Sequence, residues 1–129
     1  MTTPTLFAAA FEIALKRVGR SYESMTPVDT FVGNMAERAD RAVRLAADGA
    51  ASLAKDLLAH AEALRLGEIP SSNPASSSQV EWVARHTNEA RMLTEQLGEL
   101  FVGHFGLNLA KLHAEAAAAA ADRASPDRR

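Results

Sequence analysis

The sequence predicts an all-α protein, built from long amphipathic helices that form an antiparallel helical hairpin or a coiled-coil-like bundle. Alanine, the residue with the highest helix propensity, supplies 27 of the 129 residues. Long stretches of the chain contain neither glycine nor proline. Apolar residues also recur at spacings of three and four, which is the repeat of one helix face. A chain of this length predicts a single helical architecture.

Residues 1–25 predict a short amphipathic helix followed by a break. Thr3 suits the N-cap and Pro4 the first helical position, where the missing N–H costs nothing. We expect this helix to run to about Arg20 and to present one apolar face, composed of Phe7, Phe11, Ala14 and Val18. Two interpretations are open, a surface-seeking anchor and a helix packed on its neighbours, and the second is the favoured one.

The main helical domain is expected over residues 26–122, and its first helix over about 27–66. Thr26 and Pro27 repeat the start signal, and Asp29 adds a carboxylate in the first turn, where the helix dipole favours negative charge. Spacings of threes and fours predict one helix-pairing stripe, composed of Val28, Val32, Met35, Ala39, Ala46, Leu53, Leu57 and Leu64. Alanine in the middle of the stripe allows a partner helix to approach closely.

A linker is expected over residues 67–78, which hold two prolines, five serines and a glycine suited to a helix C-cap. A connection of this length allows an antiparallel hairpin, and it equally allows the two helices to pair with other copies of the protein. The next helix is expected over 79–122, with Ser78 and Glu81 in the form of a capping box. Residues 123–129 are expected to be a disordered tail.

The 79–122 helix changes character at Glu99. Before Glu99 it has one apolar face, whereas residues 100–110 carry no charge and are apolar all round, so they require cover from other helices or from an external apolar surface. Gly98, Gly103 and Gly106 are interpreted as sites of close helix approach or of a local bend within this helix. The residues predicted to contact such a surface or a partner are Leu93, Leu97, Leu100, Phe101, Phe105, Leu109 and Leu112.

Catalytic chemistry is not expected. The four histidines show neither the Glu-x-x-His nor the His-x-x-x-His spacing of helical metal sites, and no phosphate-binding loop or nucleophile motif is present, so no metal, cofactor or enzyme activity is predicted. His104 lies on the apolar side of its helix and is interpreted as a core histidine or a polar residue that sets register. Trp82 is interpreted as a core aromatic rather than a ligand-stacking one.

Charge and hydropathy limit the expected partners and location. A net charge of -2 provides no basic field for nucleic acid. No uncharged stretch approaches the roughly 18 apolar residues of a membrane-spanning helix. The N-terminus has no cationic region of the kind that opens a secretory signal, so the predicted location is the cytoplasm.

Two blocks of this sequence resemble the phasin family of polyhydroxyalkanoate granule-associated proteins. They are DTFVGNMAERADRAVRLAADGAASLAKDLL and, after the Ser/Pro interruption, SSSQVEWVARHTNEARMLTEQLGELFVGHFGLNLAKL. The second block carries most of the likeness, with Gln79 to Trp82 at the polar lead-in, Glu89 in the middle and Leu97 to Leu100 at the later leucine pair. Trp82 stands where the family has Tyr or Phe, and His104 with an extra glycine pair also departs from its pattern.

The resemblance implies a non-enzymatic, cytoplasmic protein that coats storage granules, influences their size, number and polymer turnover, self-associates and works alongside granule enzymes. An alternative from the same apolar stripe is a helical oligomerisation or adaptor protein that binds partner proteins. A third hypothesis is a protein that lies on a membrane surface.

Overall fold

The computed structural model describes residues 6–68 and 77–124, and every regular element in these ranges is helical. Helix α1 spans Leu6–Arg17, α2 spans Pro27–Arg65, α3 spans Ser77–Leu100 and α4 spans Leu109–Ala124. A short 3₁₀ turn, Tyr22–Ser24, precedes α2, and a π-helical segment, Phe101–Phe105, follows α3. The all-α prediction is therefore confirmed. Thr3, the proposed N-cap of the first helix, lies outside the described ranges. Residues 125–129 of the expected tail also lie outside them.

The two predicted breaks are real and have the same geometry. Gly19 and Gly67 both have left-handed backbone angles, with φ of 75° and 76°. At each break, the amide of the following residue bonds back to a carbonyl five residues earlier, as in Arg20 N to Leu15 O at 2.8 Å. Helix α1 therefore ends at Arg17, three residues before the predicted end, because the last turn closes onto Gly19.

The start of α2 carries a reciprocal cap. Thr26 Oγ1 accepts the amide hydrogen of Asp29 at 3.1 Å, and the Asp29 carboxylate accepts the amide hydrogen of Thr26 at 3.0 Å. Two backbone donors are thereby satisfied at the entry to a 39-residue helix.

The predicted continuous helix over 79–122 is corrected by the structure, which breaks it between Phe105 and Leu109. Gly106 adopts a left-handed conformation with φ of 71°, and the amide of Leu107 bonds back to Phe101 O at 3.1 Å. Asn108 is then the N-cap of α4, because its side-chain Oδ1 accepts the amide hydrogen of Lys111 at 3.1 Å. In the sequence, Gly106 is a signal for the end of a helix and Asn108 a signal for the start of the next. The continuous apolar pattern around them predicted a single helix instead.

The chain divides into two compact units. Unit 1 comprises the chain up to Asp40 and from Arg91 onward, and unit 2 comprises Arg41–Ala90. In the described ranges all the large buried apolar residues belong to unit 1, whereas unit 2 fully buries only Ala42 and Ala90. Because burial of apolar area is the main stabilising term, the free energy of folding is concentrated in unit 1.

Unit 2 is a thin antiparallel pair formed by the second part of α2 and the first part of α3. Gly49 faces Trp82 and Val83, and further along α2 the Asp56 carboxylate lies 3.5 Å from Gln79 Nε2, so the two helices run in opposite directions. A Cβ atom added at Gly49 would stand 2.6 Å from Trp82, so glycine is what permits this approach. The half-buried Trp82 ring also packs edge-on against His86, with centroids 4.2 Å apart. Trp82 therefore packs between the two helices but is half-buried beside a groove, rather than in the core position predicted.

The break at Gly106 provides a test of the corrected topology. Gly106→Ala should lower the free energy of unfolding by about 1 kcal/mol, because an L side chain is strained at positive φ. Gly103→Ala is the control, since its Cβ would meet nothing within 4 Å and its φ is not positive. Urea unfolding followed by circular dichroism measures both. Equal effects of the two variants would contradict a left-handed break at Gly106.

Candidate functional site

The residues predicted to contact a granule or a partner form part of the interior of unit 1. Six of the seven are buried and Leu100 is half-buried, with Phe101 and Leu97 fully enclosed. The Phe101 and Phe105 rings meet at 5.4 Å between centroids, and Phe105 also lies 6.2 Å from Phe11 of α1. On the outer side of the segment Val102 is 59% exposed, whereas the predicted contact residues are covered from within their own unit. These side chains are not available to an external surface while unit 1 is closed.

The predicted helix-pairing stripe of α2 divides into three environments. Its members in unit 1 are buried apart from the first, its middle members in unit 2 are half-buried, and its last members are exposed. Buried are Val32, Met35 and Ala39; half-buried are Ala46 and Leu53; exposed are Val28, Leu57 and Leu64. The stripe therefore makes one face of the unit 1 core but loses its cover toward the end of α2.

An ionic cluster in unit 1 is composed of the buried Asp29 and the half-buried Arg20 and His104. The Asp29 side chain has no exposed surface. Arg20 Nη2 donates to Asp29 Oδ1 at 3.0 Å, and His104 Nε2 lies 2.6 Å from the same oxygen. A carboxylate only accepts hydrogen bonds, so His104 Nε2 carries a hydrogen in this arrangement. The Arg20 guanidinium also lies 5.9 Å from the centre of the Phe105 ring.

Two opposing effects set the pKa of Asp29. Burial alone would raise it, but the hydrogen bonds from the Thr26 amide, His104 and Arg20 outweigh burial and lower the pKa from 3.8 to about 2. The carboxylate is therefore charged throughout the physiological range. Its role is to hold together the start of α2, the turn after α1 and the π-helical segment.

Sequence reasoning placed His104 correctly on the apolar side of its helix but did not find its partner. Asp29 and His104 are 75 positions apart, and Asp29 was already explained as a residue of the first turn of α2. The missed signal is a polar residue on an otherwise apolar surface, which requires a buried partner. Asp29 is also the one buried charged residue in the described ranges.

Helix α1 is held against the rest of unit 1 by a second carboxylate and by a surface ion pair. Both oxygens of Asp40 accept first-turn amide hydrogens of α1, from Phe7 at 2.9 Å and Ala8 at 3.0 Å. At the other end, Arg17 and Glu115 form a two-point ion pair. The first helix is therefore packed on its neighbours, as the favoured interpretation predicted, and its phenylalanines are not exposed as an anchor.

Outside the Asp29 cluster, one histidine of the described residues has a shifted pKa. Burial lowers the pKa of His113, which the Asp40 carboxylate opposes only in part. Over residues 6–68 and 77–124, no group of three or more His, Asp or Glu side chains lies close enough to hold a metal ion. Beside Trp82 and Leu53 in unit 2 runs an open, mostly apolar groove of about 410 Å³. Its lining contains no charged residue.

The end of α2 has the most exposed large apolar side chains of unit 2. Leu58, Leu64 and Leu66 are 72%, 59% and 55% exposed, and we call these three residues the leucine end. No described helix combines the length and hydropathy that crossing a membrane requires. Exposed leucines of this kind are candidates for contact with an apolar partner.

No family model, curated protein or solved structure matches this chain.

The buried cluster predicts an acid-dependent loss of stability. Because the pKa of Asp29 is lowered on folding, its contribution of about 2 kcal/mol is complete above about pH 4 and is lost as the pH falls to about 2. Asp29→Asn should therefore be less stable at pH 7 and should lose stability less steeply between pH 4 and pH 2. Urea midpoints at several pH values measure this. Asp48→Asn, at an exposed carboxylate, should keep the wild-type slope.

Proposed function

We propose that the protein is a non-catalytic, phasin-like coat of polyhydroxyalkanoate storage granules in the cytoplasm. The observation that carries the proposal is the leucine end, which exposes Leu58, Leu64 and Leu66 at the end of an α-helical pair with little core of its own. The resemblance of residues 29–112 to phasins supplies the identity of the surface. A net charge of -2 makes apolar burial, rather than electrostatic attraction, the attaching force.

Attachment on this proposal has two stages. The leucine end makes the first contact, since it is exposed without any rearrangement. The seven predicted contact residues around Phe101 and Phe105 become available only if unit 1 opens, and opening breaks the Asp29 cluster and the Asp40 bonds to α1. Unit 1 therefore limits how much apolar surface the coat presents. Effects on granule size, number and polymer turnover follow from how much granule surface is covered.

A binding assay on purified polymer granules tests the first stage. Leu64→Ser combined with Leu66→Ser should weaken binding roughly thirtyfold, because removing two leucine contacts costs about 2 kcal/mol. Phe31→Ser combined with Val102→Ser removes two comparably exposed apolar residues of unit 1 and is the matched control, expected to bind as the wild type does. Equal binding by all three proteins would contradict the leucine end as the contact.

Localisation tests the granule itself. A fluorescently tagged chain should move onto inclusions when cells accumulate polymer and should be diffuse when they do not. Diffuse signal in polymer-filled cells would overturn the coat proposal. The alternative, a helical adaptor that uses the same apolar residues to bind another protein, predicts that diffuse pattern.

A further inference from the structure

The groove beside Trp82 lies wholly within unit 2, between one turn of α2 and the first turns of α3. Gly49, Ser52 and Leu53 line it on the α2 side, and Trp82 and Val83 line it on the α3 side. Its volume of about 410 Å³ falls within the range of small-molecule sites. We call this space the Trp82 groove.

The Trp82 groove exists because small residues of α2 face a large ring of α3. A Cβ atom at Gly49 would stand 2.6 Å from Cζ3 of Trp82, so this edge of the ring rests against the α2 backbone. Ser52, three residues further along α2, is too short to fill the space beside the ring. Trp82 is therefore positioned by its contact with α2 and yet remains only half-buried. An aromatic wall beside an unfilled space is a common feature of ligand sites.

Two residues of the Trp82 groove carry hydrogen-bond donors without a partner. Within the described part of the chain, neither Ser52 Oγ nor Trp82 Nε1 forms a hydrogen bond. A helical serine can donate to the carbonyl four residues earlier, and Ser52 does not do so. The indole nitrogen can only donate. A ligand that pairs with these groups must therefore carry an acceptor atom.

The charges around the Trp82 groove disfavour ionic ligands. Its lining contains no charged residue. The Asp56 carboxylate lies 3.5 Å from Nε2 of the lining residue Gln79, so a negative charge stands beside the rim. A bound carboxylate would face this charge and would lose hydration without gaining a cationic partner. A bound ammonium group would likewise lose hydration without a carboxylate in the lining to replace it.

We propose that the Trp82 groove binds a small, uncharged, largely apolar molecule that carries a carbonyl oxygen. Leu53, Val83 and the Trp82 ring contact the apolar part, and the Ser52 hydroxyl and the indole N–H are the donors for the oxygen. Binding requires no opening of unit 1 and involves no residue of the leucine end. It is therefore independent of attachment to granules.

NMR of the full chain tests the proposal directly, because the single tryptophan gives one indole N–H signal. The probes are cyclohexanone, cyclohexane, cyclohexanecarboxylate and cyclohexylammonium, which share one ring and differ in charge and in the acceptor oxygen. Cyclohexanone should shift the signal saturably, with a dissociation constant in the millimolar range expected for so small a molecule. The other three should bind about tenfold more weakly or less, for lack of the hydrogen bond or because of their charge. Equal shifts by all four probes, or a cyclohexanone shift that does not saturate, would overturn the proposal.

Two substitutions at Ser52 separate the space from the hydroxyl. Ser52→Leu fills the Trp82 groove and should abolish the saturable shift, whereas Ser52→Ala should weaken cyclohexanone about threefold to tenfold and leave cyclohexane unchanged. Ala59→Leu adds a leucine at an exposed position of α2 outside the lining and is the matched control, expected to bind as the wild type does. Circular dichroism checks that all three variants keep the wild-type helix content. Wild-type binding of cyclohexanone by Ser52→Leu would contradict the site.

A dilution series without any probe tests a competing occupant. The indole signal should keep its position as the protein is diluted, because the Trp82 groove is open in the free chain. A shift that depends on protein concentration would mean that a second copy fills the groove, and it would overturn the proposal. Neither experiment contains granules or polymer, so a failure here leaves the proposed function untouched, and a failure to bind granules leaves this site untouched.

Discussion

The burial of one charged carboxylate is the constraint on which unit 1 depends. Asp29 has no exposed surface, and a charge removed from water requires partners that replace its hydration. Those partners come from three different segments: the Thr26 cap, Arg20 after α1, and His104 of the π-helical segment. Satisfying Asp29 therefore fixes where α2 begins, how the chain leaves α1 and which side of residues 101–105 faces inward. The phenylalanine packing around Phe101 is built on that alignment.

The helices could be predicted from sequence because their boundaries carry local signals. Pro27 and Gly67 bound α2 to within one residue of the structure. The break at Gly106 was missed because glycine is also tolerated inside helices, and only the Asn108 cap that follows marks a new start. Periodicity showed correctly that the side of residues 100–110 with Phe101 and Phe105 needs cover, but the expected cover of the opposite side is absent at Val102, which is 59% exposed. It could not show that the cover comes from α1 of the same chain, since an apolar face looks alike whether its partner is internal or external.

The candidate site was harder to predict than the fold for the same reason. Leu93 and Leu97 have the spacing of a contact surface, yet they belong to the core. The side chains left exposed, such as Leu58 and Leu66, differ from these in their exposure, which is a tertiary property. The His104 partner was likewise invisible, because a contact across 75 residues leaves no trace in local spacing. The large buried apolar residues thus lie in unit 1, whereas exposed apolar side chains occur in both units, Phe31 and Val102 of unit 1 included.

The concentration of the apolar core in unit 1 has a consequence for how the chain folds. Unit 1 is assembled from both ends of the sequence, and Arg17 meets Glu115 across 98 positions, so its formation requires closing nearly the whole chain into a loop. Unit 2 joins residues that are closer along the chain, such as Asp56 and Gln79, which are 23 positions apart, so its closure costs about 1 kcal/mol less in entropy. Early pairing of its two helices shortens the loop that unit 1 must close. Although the thin, alanine-lined pair buries little apolar area of its own, its early formation would lower the entropy cost of assembling the unit 1 core.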